Sequence, residues 1–125
     1  MLLTIMRLQI VAFAIYGIGF FFVPDFTLDT VFGWDTTTSL ARGLGAAFLV
    51  LAWIEYNITT KLADRMDLVW PFAVLPALLL VGFLWEKAAD TYDGTDLFFW
   101  VTVVVTVFFA VTVAIGARNG PDAAA

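Results

Sequence analysis

The sequence predicts an all-α protein, a four-transmembrane-helix bundle with both termini on the cytoplasmic side. Three observations predict it. Hydrophobic residues make up 62% of the 125 positions and charged residues only 14%, against about 25% charged in soluble domains. A chain this short has no interior large enough to hide that much apolar surface from water. The apolar residues are gathered into four long runs, about 2–23, 40–58, 68–85 and 97–117. Each is close to the ~20 residues a helix needs to cross about 30 Å of hydrocarbon. The runs lack the alternation of barrel strands, and in lipid only helices and closed barrels satisfy their own backbone groups. A single integral membrane domain therefore covers residues 1–125, with 118–125 as a short tail.

The first run, Leu2–Val23, is interrupted by Thr4, Arg7 and Gln9 and stopped by Pro24, since the residue before a proline is biased away from the helical region. It reads as a retained span. It has one basic residue, no small-x-small site before Pro24, and an apolar stretch too long for a signal-peptide core. The loop Pro24–Ser39 is the longest and carries Phe26, Leu28, Val31, Phe32 and Trp34 among Asp and Thr. It reads as a segment lying in the outer interface and capping the bundle, with a lid over a lipid-facing site as the alternative.

The second run, Leu40–Ile58, contains Arg42, Glu55 and Asn57, with Ser39 as its expected N-cap. The third, Leu68–Trp85, has Asp67 as its expected cap, Pro71 near its first turn and Pro76 inside it, where a kink is expected. The fourth, Leu97–Ala117, is capped by Thr95 or Asp96 and closed by Gly116 and Gly120-Pro121.

Arg7, Lys61, Arg65 and Arg118 flank one side of the membrane, and Arg42 and Lys87 the other. The positive-inside rule then puts both termini in the cytoplasm. The acidic residues Asp25, Asp29, Asp35, Glu86, Asp90, Asp93 and Asp96 fall outside. Trp34, Trp85 and Trp100 mark the outer interface and Trp53 and Trp70 the inner one, as an aromatic belt predicts. The expectation is a multi-pass protein of a prokaryotic cell membrane. Its scarcity of Lys and its acidic, Thr-rich loops point to a halophile.

Six Lys+Arg against 11 Asp+Glu give a net charge of −5, which argues against nucleic-acid partners and against polybasic docking to anionic lipid. With no Cys and no His, thiol chemistry, disulfides and iron–sulfur clusters are excluded, and the usual haem ligand, metal ligand and acid–base catalyst are missing. No catalytic, cofactor-binding or metal-ligating residues are assigned, and the reading leans away from an enzyme.

Polar residues inside the spans are the candidate ligand positions. Arg7 and Glu55 lie at matched depth, about 9 Å from the midplane on the inner side by helical rise, so an Arg7–Glu55 ion pair is expected. Arg42 lies near the outer end, with Glu86 as its expected partner and Asp35 next. These charges either fix helix register and snorkel to headgroups, or hold a ligand; Arg42 is the strongest candidate because a guanidinium clamps an anion bidentately. Tyr16 and Thr106 sit near the midplane, where they either bond each other or Thr106 bonds its own i−4 carbonyl.

Small residues at Gly17, Gly19, Gly43, Gly45 and Ala47 are expected to let helices approach closely, within the bundle or along a homodimer seam. The runs Phe20–Phe22, Phe98–Phe99, Val103–Val105 and Phe108–Phe109 face lipid or core, and are also suited to line a groove for an acyl chain, quinone or carotenoid.

A stretch from the first span into the second resembles the DoxX-like group of small membrane proteins. It comprises Tyr16-Gly17-Ile18-Gly19, then Val23-Pro24, then Phe32-Gly33-Trp34, then Ala41-Arg42-Gly43-Leu44-Gly45-Ala46. The resemblance covers about a third of the chain and implies the four-helix topology. Some relatives in that group are similar to subunits of quinone-linked sulfur oxidation complexes. The leading expectation is an accessory or scaffold protein in the bilayer, either a homo-oligomer or a subunit of a larger membrane complex. The alternatives are a module binding a lipid, quinone or pigment, and an oligomeric small transporter or channel. No cofactor is required by the sequence.

Overall fold

The computed structural model describes residues 1–33, 37–92 and 94–120, and among these it is helical without strands. The elements are α1 (Leu2–Phe22), a short turn α2 (Pro24–Phe26) running into a π-helical segment Thr27–Phe32, α3 (Thr38–Thr59), α4 (Pro71–Ala88) and α5 (Asp96–Asn119). Two 3₁₀ turns, Leu62–Asp64 and Met66–Leu68, join α3 to α4. Four helices, α1, α3, α4 with its preceding turn, and α5, are long and apolar enough to cross a membrane. Trp34, Asp35 and Asp93 and the last residues of the tail lie outside the described residues.

The helix ends follow local chemistry, with two departures from expectation. Thr95 caps α5, its hydroxyl accepting the Phe98 N–H at 3.4 Å. The cap of α3 is Thr37 rather than Ser39: its backbone is extended, and its hydroxyl accepts the Leu40 N–H at 3.2 Å. Asp67 does not cap α4. It sits in a 3₁₀ turn, and α4 starts at Pro71, whose missing N–H costs nothing in a first turn.

Packing is organised around α1. It lies antiparallel along α3, touches α5, and is bridged to α4 by Gln9, while α4 and α5 form the second antiparallel pair. The α1–α3 crossing is close enough to exclude any side chain at Gly45, where a Cβ would stand 2.5 Å from the Phe21 nitrogen and 2.9 Å from the Gly17 carbonyl oxygen. At Gly17 a Cβ would stand 2.7 Å from the Leu49 side chain. At the other end of the bundle Leu2 packs on Gly116, so both termini share one end.

The interior is a layer of Met6, Phe13, Ala52, Phe72 and Val113 toward the terminal end, and a second cluster of Phe20, Leu28, Phe32 and Ala41 at the opposite end. Large apolar side chains such as Ile15, Trp53, Leu78 and Val104 cover the outside, as a bilayer-facing surface requires.

The segment after Pro24 covers the second cluster. The Thr27 hydroxyl donates to the Gly19 and Val23 carbonyls (2.8 and 2.9 Å), satisfying groups left open at the end of α1. A Cβ at Gly19 would meet this hydroxyl at 3.1 Å. Gly33, at φ 67°, ends the segment in the left-handed conformation. The Thr95 N–H then donates to the Phe32 carbonyl, tying the segment to the start of α5.

Candidate functional site

The centre of the bundle holds a proline-made defect and its repair. Pro76 lies inside α4, so the carbonyl four residues earlier, that of Phe72, has no helical N–H to accept. Gln9 of α1 supplies one: its Nε2 donates to the Phe72 carbonyl at 2.8 Å, with the side chain 2% exposed. The bond ties α1 to α4 across the core. Its other amide atom, Oε1, is buried with no hydrogen-bond partner. The sequence marked Gln9 only as an interruption of the first run. Its spacing with Met6 and Phe13, which share its buried face, together with the proline, is the signal that identifies its role.

Glu55 is also interior, at 0% exposure, and neither carboxyl oxygen has a hydrogen-bond partner. The expected pair with Arg7 is not formed. Arg7 is two positions from Gln9, about 200° around the helix at 3.6 residues per turn, and is exposed. Depth matched, but azimuth did not.

The expected Arg42–Glu86 pair is likewise replaced. Arg42 Nε donates to the Phe21 carbonyl at 3.3 Å, satisfying an open group in the last turn of α1, where a cation is favoured. At the end of α4 the ion pair is Lys87–Asp96, 2.9 Å, and Glu86 is exposed. Arg42 packs with the α1–α3 pair and Glu86 belongs to the α4–α5 pair, which separates them.

Near the midplane Thr106 bonds its own helix, donating to the Thr102 carbonyl at 2.7 Å. Tyr16 lines the same space as Thr102 and Thr106. Tyr16, Thr102 and Thr106 are the polar marks, with Gln9, on an otherwise apolar cavity of about 110 Å³. All four long helices line it, Pro76 from α4 and Phe48 from α3 among them.

A second, larger space of about 730 Å³ lies between α1 and α5 beneath the Pro24–Phe32 segment. Ile15 and Leu8 of α1 and Val104 and Phe108 of α5 form its outer walls. Ala12, Tyr16, Phe32, Val105 and Phe109 line both spaces. The groove therefore shares a wall with the central cavity. It exists because α1 and α5 meet closely at the terminal end, where Leu2 rests on Gly116, and are held apart at the other end by Phe32, whose ring stacks on Phe20 at 5.0 Å and lies tilted against Phe98 at 4.4 Å.

The small residues divide into two groups. Gly17, Gly19 and Gly45 serve contacts within the chain, whereas a Cβ at Gly43 meets nothing within 4 Å. Ala47 is exposed on the same helix.

Fold and site together define a small four-helix protein with membrane-spanning dimensions and an apolar groove on its flank. Comparison with protein-family models, with curated proteins and with solved structures gave no match.

Proposed function

We propose that this protein is a multi-pass membrane module that holds one hydrocarbon chain, of a lipid, quinone or carotenoid, in the groove between α1 and α5. The observation that supports this reading is the groove itself. Its volume of about 730 Å³ falls in the roughly 300–1,000 Å³ range of small-molecule sites. It is apolar along its length and shares Ala12, Tyr16 and Val105 with the central cavity. A chain from the surrounding bilayer needs no polar desolvation to enter it. Tyr16 offers one polar anchor at the inner wall.

The test is an organic extract and a visible absorption spectrum of protein purified from its native membrane and washed in lipid-free detergent. Retention of one lipid, quinone or carotenoid species near one per chain is the expected result. A washed preparation that keeps no apolar molecule contradicts the reading.

A second reading is favoured by one observation. Gly43 and Ala47 form a small-xxx-small pair whose surface faces away from the bundle, a pattern that supports close helix association. In this reading the protein acts as an accessory scaffold, as a homo-oligomer or within a larger membrane complex. The resemblance to the DoxX-like group is compatible with both readings at the level of topology.

Both readings place the termini in the cytoplasm, on the side of Arg7, Lys61, Arg65 and Arg118. A reporter active only in the cytoplasm, fused after Gly120, is expected to be active. Activity from the same reporter inserted in the Ala89–Thr95 loop instead would reverse the orientation.

A further inference from the structure

The chain-binding reading leaves Glu55 and the free oxygen of Gln9 without a role. Both are in the interior, at 0% and 2% exposure. The two Glu55 oxygens and Gln9 Oε1 are buried acceptors without a partner.

They lie at similar depth on the buried faces of neighbouring helices. Gly17 of α1 sits against Leu49 of the antiparallel α3, so Gln9 and Glu55 lie about two residues, or ~3 Å, apart along the bundle axis. Their flanking residues on each buried face, Met6 and Phe13 on α1 and Ala52 and Ile58 on α3, share one packed cluster with Phe72 of α4. The Phe72 carbonyl, freed by Pro76, adds a fourth oxygen, since it has two lone pairs and spends one on Gln9.

Four acceptor oxygens thus lie at this level of the bundle, two of them from the Glu55 carboxyl. A buried carboxyl is neutralised either by a proton or by positive charge beside it. No basic side chain of the chain supplies it. Arg7, Lys61 and Arg118 are exposed, Arg65 donates to the Asn57 carbonyl, and Arg42 and Lys87 are engaged at the opposite end.

The geometry points to a site for a small alkali cation, held by the Glu55 carboxylate, Gln9 Oε1 and the Phe72 carbonyl. The ligand chemistry decides the class. All donors are oxygens, which select hard cations. A single carboxylate neutralises a monovalent ion, whereas a divalent ion would leave a net charge in the apolar core. Carbonyls released from a broken helix are among the groups that coordinate alkali cations at the midplane of membrane proteins.

The test uses the purified full chain in detergent, exchanged into choline chloride, with NaCl or KCl replacing choline at constant ionic strength. A hydrophobic carbodiimide adds to a carboxyl only when it is protonated, and a bound ion competes with that proton. Mass-spectrometric labelling of Glu55 is expected to fall about tenfold when the ion stands at ten times its dissociation constant. The thermal midpoint is expected to rise saturably with Na⁺ or K⁺, and Glu55→Gln to abolish that rise. Labelling of Glu55 that is equal in choline, Na⁺ and K⁺ overturns the proposal and leaves a proton as the counter-charge. Because the labelling readout uses the unmodified chain, it stands even where Glu55→Gln fails to fold. It is also independent of whether the groove holds a lipid.

Discussion

Replacing Gly45 by Val is expected to remove the folded protein from detergent extracts. The α1–α3 crossing brings the Phe21 nitrogen to 2.5 Å, and the Gly17 oxygen and the Phe21 Cβ to 2.9 Å, from where a Cβ would be. These are backbone atoms or fixed to it, so no rotamer change relieves the clash, and the helices must separate. Gly45→Ala alone is expected to cost about 3 kcal/mol, the upper part of the range for overpacking. Gly43→Ala, two residues away on the same helix, meets open space. It is expected to be neutral or to stabilise by up to about 1 kcal/mol through helix propensity. Thermal unfolding followed by size-exclusion chromatography measures both. Equal effects at the two glycines would place the α1–α3 crossing elsewhere.

The second large effect concerns the bond that Pro76 makes necessary. Gln9→Leu removes the donor to the Phe72 carbonyl and leaves a buried oxygen unpaired, at a cost of about 1–3 kcal/mol. Pro76→Ala restores an N–H within α4 that reaches the same carbonyl. In the Pro76→Ala background Gln9→Leu is therefore expected to cost less, with a coupling energy of about 1–2 kcal/mol. A double-mutant cycle of thermal or denaturant stability reads this directly. Additive effects would mean that Gln9 and Pro76 act independently.

What the sequence made legible follows from which physics is local. The four spans needed only length and apolarity, because lipid imposes both on any helix that crosses it. The Thr95 cap, one of two candidates with Asp96, was readable because it depends on one residue and its immediate backbone; the start of α4 at Pro71 was not, because the 3₁₀ turn over Met66–Leu68 takes up the residues that read as its first turn. The α3 cap was not, because Thr37, Thr38 and Ser39 all offer hydroxyls, and the backbone angle at Thr37 selects among them. Arg7 with Glu55 failed for a geometric reason: counting residues gives depth, and two residues of helix turn a side chain to the opposite face. Arg42 with Glu86 failed because helix adjacency is a tertiary fact. Gln9 was hidden by its apolar neighbours and acquires meaning only beside the carbonyl that Pro76 releases on another helix. The Phe- and Val-rich runs signalled apolar surface; the wedge of Phe32 that opens α1 from α5 turns part of that surface into a groove.

The groove carries the functional reading, and Ala12 is the residue through which to close it, since it lines both the groove and the central cavity. Native mass spectrometry of the wild-type protein and of Ala12→Trp, each released from detergent under conditions that strip peripheral lipid, tests the reading most directly. The predicted result is a wild-type peak carrying one tightly held apolar molecule, and a folded Ala12→Trp protein that has lost it. A folded Ala12→Trp protein that retains the same bound mass, or a wild-type protein that carries none, would contradict it.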